Sequence, residues 1–355
     1  MRTPVTVGVV CGANGLGDAL ARTFDLLPQA ALRWVCDDVK RPASIGYGPE
    51  TAWTMDFNEL LQDEDLDAVA FASSGLAMPG RVLAALEAEK HVLVDGSLRC
   101  ASADADRLVA AAMQGNRRLL APAPALLRPE VLRLHRLIDR GALGEIFYIH
   151  ARRYALRPES ELDLLRDLGL DLVALALDLL GDEPFEATAS GESYLGRDRP
   201  DVIFSTLRFA TGIGVHLHLS CLEGESAERL SVVGSRATAV LDVSDPELAL
   251  SVYVNGSTPT VFDEFATEPG DRIAFRQAPD DSLRLACTRF LTAVRSNGDA
   301  SVGRESAAAL AVVEALEQSC RNRGAAEPVA SRAAPEGKVV AFRTPSVTTV
   351  TRQLS

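Results

Sequence analysis

The segment Gly12-Ala13-Asn14-Gly15-Leu16-Gly17 follows a short apolar run, Val5–Val10. Glycines at a strand-to-helix turn let the backbone approach a phosphate, and the free N–H groups of the helix N-terminus favour an anion there. The spacing is G-x-x-G-x-G, so the motif draws its meaning from context. Twenty residues beyond Gly17, Asp37 closes a second apolar run, where a carboxylate accepts from two ribose hydroxyls. Gly12, Asn14, Gly15, Leu16 and Asp37 thus form a candidate dinucleotide site. Ser73 and Ser74, after a third run at 68–72, lie at the same sheet edge and within reach of the ribose. A glycine turn used only for packing is the alternative. Asp37 repels a 2′-phosphate, so NAD is expected over NADP; Lys40 and Arg41 pull the other way.

Two further patterns invite chemistry. His216 and His218 stand two apart in a strand-like run and share a face. Such a pair can hold zinc, but no third ligand lies nearby, so histidines of a sheet face are expected and no metal. Asp95-Gly96-Ser97 follows the run 91–94 and reads as a turn. His135 is expected on a helix surface.

Composition limits the function classes. The 355 residues are 47% hydrophobic and carry a net charge of −13. That charge opposes a phosphate backbone, and the arginine pairs 117–118 and 152–153 are isolated, so nucleic acid is not an expected partner. The six cysteines form no CxxC, as for free thiols in a reducing compartment. No leader segment is visible, and the most apolar helical stretch, 168–180, contains Asp171 and Asp178 and is too short to span a bilayer. A cytoplasmic, membrane-free protein is expected.

These residues need elements to position them. Strand-like runs at 5–10, 31–36, 68–72, 91–94 and 118–120 alternate with helical patterns at 18–27, 57–62, 80–89 and 102–115, with Pro79 and Ser102 as helix-start signals. Such alternation implies right-handed βαβ units and a parallel, doubly wound sheet: an α/β Rossmann domain over 1–122. Beyond it come a helix at 129–140 and longer strands at 145–154, 186–194, 202–209, 212–222, 228–233, 237–242 and 248–254. One helix, 162–180, interrupts them, and two, 283–296 and 304–323, close the region. This predicts an α+β domain over 123–330 with a large, mostly antiparallel sheet, able to leave one face for a partner. A tail, 331–355, follows, with one strand expected at 338–343.

The pieces together resemble the Gfo/Idh/MocA family (glucose–fructose oxidoreductase, inositol dehydrogenase and relatives). "LRWVCDD", "DLDAVAFASS", "ALEAEKHVLVD", "LIDRGALGEIFYI", "LRFATGIGVHLHLS", "VVGSRATAVLD" and "ALAVVEALEQS" follow one another in the family order, across about residues 5–330. The nearest subgroup is the UDP-N-acetylglucosaminuronate 3-dehydrogenase type. The resemblance implies NAD(P)-linked oxidation of a sugar, sugar nucleotide or cyclitol, and a homodimer or homotetramer built on the second sheet. It also implies site residues that this chain lacks. The family's Glu-Lys-Pro after "HVLV" is here Asp95-Gly96-Ser97, so the lysine becomes glycine. Asp171 stands where the family's catalytic histidine belongs, in "DLGLDLVA". The polar segment after the fifth strand is Pro122-Ala123-Pro124-Ala125, and the polar residue after the third is Met78. The candidates left for catalysis are Asp171, Asp95 and Tyr154, the last with Arg152 and Arg153 beside it, where family members hold substrate. The competing expectation is a silent binding or partner subunit, or a non-redox enzyme in the same cleft.

Overall fold

The computed structural model describes residues 3–11, 16–37, 46–48, 50–72, 78–156, 162–196, 198–245, 247–254, 271–276, 279–296 and 304–330. Gly12, Asn14, Gly15, Ser73, Ser74, Lys40, Arg41 and the strand expected at 338–343 lie outside them. The chain folds into two sheets flanked by helices. In the first, β1 (Val5–Val10), α1 (Leu16–Leu26), β2 (Ala30–Cys36), β3 (Ala52–Thr54), α2 (Phe57–Leu61), β4 (Ala68–Ala72), α3 (Met78–Glu87), β5 (His91–Asp95), α4 (Ser102–Gln114) and β6 (Leu119–Leu120) alternate in chain order. The strands form one parallel sheet in the order β3-β2-β1-β4-β5-β6. The order reverses between β1 and β4, and doubly wound sheets bind ligands beyond the strand ends at such a reversal. β3 is a three-residue strand that the apolar pattern does not announce. Ser102 is the first residue of α4 rather than its cap, because its backbone N–H and hydroxyl both go to Glu314.

The second domain adds α5 (Pro129–Asp139), β7 (Ile146–Tyr154), α6 (Leu170–Leu180), β8 (Glu186–Glu192), β9 (Val202–Arg208), β10 (Gly214–Ser220), β11 (Ala227–Gly234), β12 (Ala237–Asp242), β13 (Leu250–Val254), β14 (Arg272–Phe275), α7 (Ser282–Arg295), α8 (Arg304–Arg321) and β15 (Glu327–Pro328). Nine strands pair as β14-β13-β12-β11-β7-β10-β9-β8-β15, all antiparallel except β7 with β10. β14 and β15 are additions to the expected set.

Strand parity decides what each face of this sheet carries. Ile149 and Ala151 of β7, Val215, Leu217 and Leu219 of β10, and Leu230 and Val232 of β11 are buried on the inner face. There α6 and α8 cover them. α6 is apolar nearly all round and buries Leu172, Val173, Leu175 and Leu179, each contributing about 1.5–3 kcal/mol. α7 follows the second sheet in sequence yet packs on the first: Cys287, Phe290 and Leu291 share a core with Val5, Val7, Val9, Leu20 and Phe24.

Polar contacts hold the two domains in register. Besides the Ser102–Glu314 pair, Arg166 is bidentate to Glu317 of α8 (2.6 and 3.0 Å) and donates to the Cys100 carbonyl at 3.2 Å. These fix the start of the 162–180 segment against the turn that follows β5, which is where the crevice opens.

Candidate active site

β5 ends at Asp95, and Gly96 has φ +104°, a region L side chains rarely adopt. The glycine turns the chain so that Ser97, 8% exposed, faces the second domain. Opposite it, residues 162–180 do not form the single regular helix their periodicity predicts. Leu164–Gly169 is a π-helical turn capped by Asp163, whose carboxylate accepts from the Leu165 and Arg166 N–H groups at 3.1 Å, and α6 starts only afterwards. Such turns re-aim side chains at functional sites. Asp167 accepts from the Asp163 N–H at 2.8 Å and pairs with Arg99.

Asp171, in the first turn of α6, meets Ser97 across the crevice: the Ser97 hydroxyl donates to its Oδ1 at 2.9 Å. Its Oδ2 receives Arg153 Nη1 at 3.4 Å, and the same nitrogen lies 3.5 Å from the Leu168 carbonyl oxygen. Arg153 Nε is 3.3 Å from Glu228 Oε2, while Arg128 Nη1 donates to Glu228 Oε1 at 2.6 Å. Ser97, Asp171, Arg153, Glu228 and Arg128 therefore form one chain of charge-assisted contacts running from the first domain into the sheet of the second. Asp171 and Arg153 keep 23% and 24% of their side-chain surface exposed.

The other sequence candidates fall elsewhere. Asp95 is mostly buried, which raises its carboxyl above the usual range. Burial and then Asp95 raise the thiol of Cys287 on α7, so Asp95 lies toward that helix. Tyr154 is not in the crevice. Parity puts Tyr148, His150, Arg152 and Tyr154 on the outer face of the sheet, and the Tyr154 hydroxyl is 3.0 Å from His218 Nδ1. Arg153, one residue earlier, points inward with Ile149 and Ala151. The alternation of β7 carries that distinction, and it was there to read. Ser97, Glu228 and Arg128 carry no such signal, because each belongs to the site only through a fold contact.

His216 and His218 share the outer face with His150, which pairs with His216 in register. His218 stacks on Phe204 with ring centres 4.2 Å apart, and Thr206 Oγ lies 3.1 Å from His216 Nδ1. Burial lowers the pKa values of His150 and His218. Among the described residues no three His, Cys, Asp or Glu side chains converge as metal ligands. A cavity of about 290 Å³ lies over these histidines, on the face away from Asp171. His135 is a correction: it is 6% exposed and pairs with buried Asp178 of α6, where a helix-surface residue was expected. Among the described residues no helix is long and apolar enough to cross a membrane.

The polar groups expected after β4 and β6 are replaced by packing. Met78 is buried at the start of α3, and Ala123 and Ala125 are buried where Pro124–Leu127 forms a 3-10 turn beside α6. At the other end of the crevice, Gly17 lies so close to the end of β1 that a Cβ there would fall 2.4 Å from the Cβ and Sγ of Cys11 and 2.6 Å from its Cα. Asp37 follows β2 and donates its N–H to the Thr54 carbonyl at 3.1 Å. Burial first, and Asp37 next, push the Cys11 thiol up to about 12, so Cys11 is an inert packing group. A tight helix–strand approach and a carboxylate at the end of the second strand are what a dinucleotide site requires, and the described residues fit it.

Residues 131–240 match the C-terminal domain of the GFO/IDH/MocA proteins. The resemblance to the Gfo/Idh/MocA family stands on that segment and on the relatives that follow. The chain is 32% identical over 214 residues to inositol 2-dehydrogenase 2 of Saccharopolyspora erythraea, covering 58% of this chain and 62% of that protein, somewhat under two thirds of its length. To inositol 2-dehydrogenase 2 of Paenarthrobacter aurescens it is 26% identical over 340 residues, 90% of this chain and 97% of that one. The crystal structure of GenD2 from gentamicin A biosynthesis in complex with NAD superposes with a TM-score of 0.72 over 93% of this chain and 98% of that one. At 21% identity, that last likeness is one of fold. The parallel sheet with its helices and the separate, mostly antiparallel sheet are the fold class expected from the sequence.

Proposed function

We propose that this chain is an NAD(P)-linked oxidoreductase that oxidises a hydroxyl of a cyclitol or sugar, with Asp171 as the proton acceptor. The observation that carries the reading is the placement of Asp171 at the crevice, held by Ser97 from one domain and Arg153 from the other. Gly17 and Asp37, with the glycine segment before them, are the residues to hold the dinucleotide. Asp37 favours NAD over NADP, since a carboxylate there repels a 2′-phosphate. A nicotinamide held there would supply the hydride acceptor.

The protein's own part is the proton. An alcohol cannot lose hydride without also losing its hydroxyl proton, and a base within hydrogen-bond reach contributes about 10²–10⁴-fold. A carboxylate has about four lone-pair sites. Ser97 and Arg153 occupy one on each oxygen, which leaves room for a substrate hydroxyl. The crevice is framed by Asp167, Asp171 and Glu228, each already paired with an arginine, so hydroxyl-rich ligands suit it.

A second reading has its own support. Gly96 brings no side chain to the crevice, and Met78, Ala123 and Ala125 are buried where the resemblance implies polar groups, as a binding or partner subunit without redox chemistry would have them. We also propose that a second copy of the chain covers the outer sheet face, where Phe204 is 57% and Tyr148 42% exposed.

Titration of the protein with NADH and NADPH, followed by fluorescence, and turnover of NAD with myo-inositol and related polyols separate the two readings. Asp171→Asn is expected to keep the fold and NADH affinity and to lose at least about 100-fold in turnover. Wild-type turnover in that variant removes Asp171 as the base, and a wild-type protein that binds neither nucleotide favours the silent subunit.

A further inference from the structure

Gly96 brings no side chain to the crevice and sits where an L residue is strained, while Arg99, further along the same turn, pairs with Asp167. The second domain supplies the cation that meets Asp171. Arg153 lies on the inner face of β7, directly across the ladder from Glu228 of β11, and its guanidinium bridges two carboxylates. Nε faces Glu228, and Nη1 faces both Asp171 and the Leu168 carbonyl. Glu228 is held in turn by Arg128 at the start of α5. The guanidinium plane is thereby fixed from behind and aimed at the one carboxylate that also receives Ser97.

We propose that Arg153 is the positioning residue of this site: it holds Asp171 in the orientation that meets Ser97 and a substrate hydroxyl. The proposal rests on Asp171 being the proton acceptor. An arginine suits the place because its planar fork presents donors along two edges at once, whereas a lysine is a single point charge. Its effect falls on the reacting step rather than on ground-state affinity, since Asp171 stands between it and the ligand.

The test uses the full chain with Arg153→Met, Arg153→Lys, Asp171→Asn and the double variant Arg153→Met/Asp171→Asn. In turnover of NAD with myo-inositol as probe, Arg153→Met is expected to lower kcat by about 10- to 100-fold, part of what a base contributes, with KM within about threefold. Arg153→Lys should recover part of the loss. NADH affinity, read by fluorescence, should change by less than about twofold in every variant. Without any ligand, the melting shifts of Arg153→Met and Asp171→Asn should fall short of additivity by about 2 °C or more, because the two side chains share one contact. Additive shifts, or a wild-type kcat in Arg153→Met, overturn the positioning role while leaving the dehydrogenase reading standing. A wild-type protein that binds NADH, keeps the coupling and oxidises no polyol overturns the dehydrogenase reading, and the catalytic role of Arg153 with it.

Discussion

Placing a lysine at position 96, where the resemblance implies one, is the most informative single perturbation. Gly96 has φ +104°, outside the regions open to L residues. Holding a side chain there costs about 1–3 kcal/mol in the backbone alone. For a chain of 355 residues, at about 2.1 cal/mol/K per residue, each kcal/mol lowers the melting temperature by about 1.3 °C, so Gly96→Lys should melt about 1–4 °C below wild type. Gly96→Ala should lose nearly as much, because the cost lies in φ and not in the ammonium. The strain also has an outlet. Rotating the turn toward negative φ carries Ser97 away from Asp171, breaking the 2.9 Å contact. Adding Ser97→Ala to Gly96→Lys should then cost less than Ser97→Ala does alone. Differential scanning calorimetry of the four proteins, with NAD turnover measured in parallel, reads all of this. If Gly96→Lys melts with wild type and gains activity, the turn accepts a lysine-bearing residue, and the argument that its backbone has been remade around glycine fails.

Three other outcomes are expected. Gly17→Ala must push α1 off β1, since its Cβ would collide with backbone as well as side-chain atoms of Cys11; NADH affinity, by fluorescence titration, should fall at least about tenfold. Burial lowers the pKa of His91 to about 4, with Arg117 and Arg118 adding to it, and its Nδ1 accepts from the Arg118 N–H at 3.0 Å. The unfolded chain therefore binds more protons between about pH 6.5 and pH 4, so stability is full above that window and is lost as pH falls through it. His150 and His218 act in the same direction, and melting curves of His91→Gln should show a flatter acid slope than wild type. Phe204→Asp places a charge on the outer sheet face and should convert any oligomer seen by sedimentation velocity to monomer, with the melting temperature of that monomer within about 3 °C of the parent; an unchanged mass would exclude this face as the interface.

Much of the architecture was legible because it rests on local pattern. The runs at 5–10, 68–72 and 91–94 are too short and too apolar for anything but buried strands, and the helices between them dictate parallel pairing. The second sheet was legible for a related reason: alternating residues over seven to nine positions require one face inside. What pattern does not carry is any contact between distant segments. β3 and β15 are held by two or three ladder positions and have almost no periodicity of their own. The π-helical turn at Leu164–Gly169 looks like ordinary helix in the sequence, because its apolar residues follow nearly the same spacing.

At the site itself, the sequence determined which residue types were present: an aspartate at 171, and a glycine at 96 in the turn after β5. It could also separate Arg153 from Tyr154, since side chains in a strand alternate and Arg153 shares parity with two buried neighbours. Only the tertiary structure decided that Ser97, 74 residues before Asp171, donates to it, and that Glu228 and Arg128 brace the arginine behind it. Parity and propensity act over a few residues, whereas a hydrogen bond between two domains depends on how both cores pack and on the backbone angle of a single glycine.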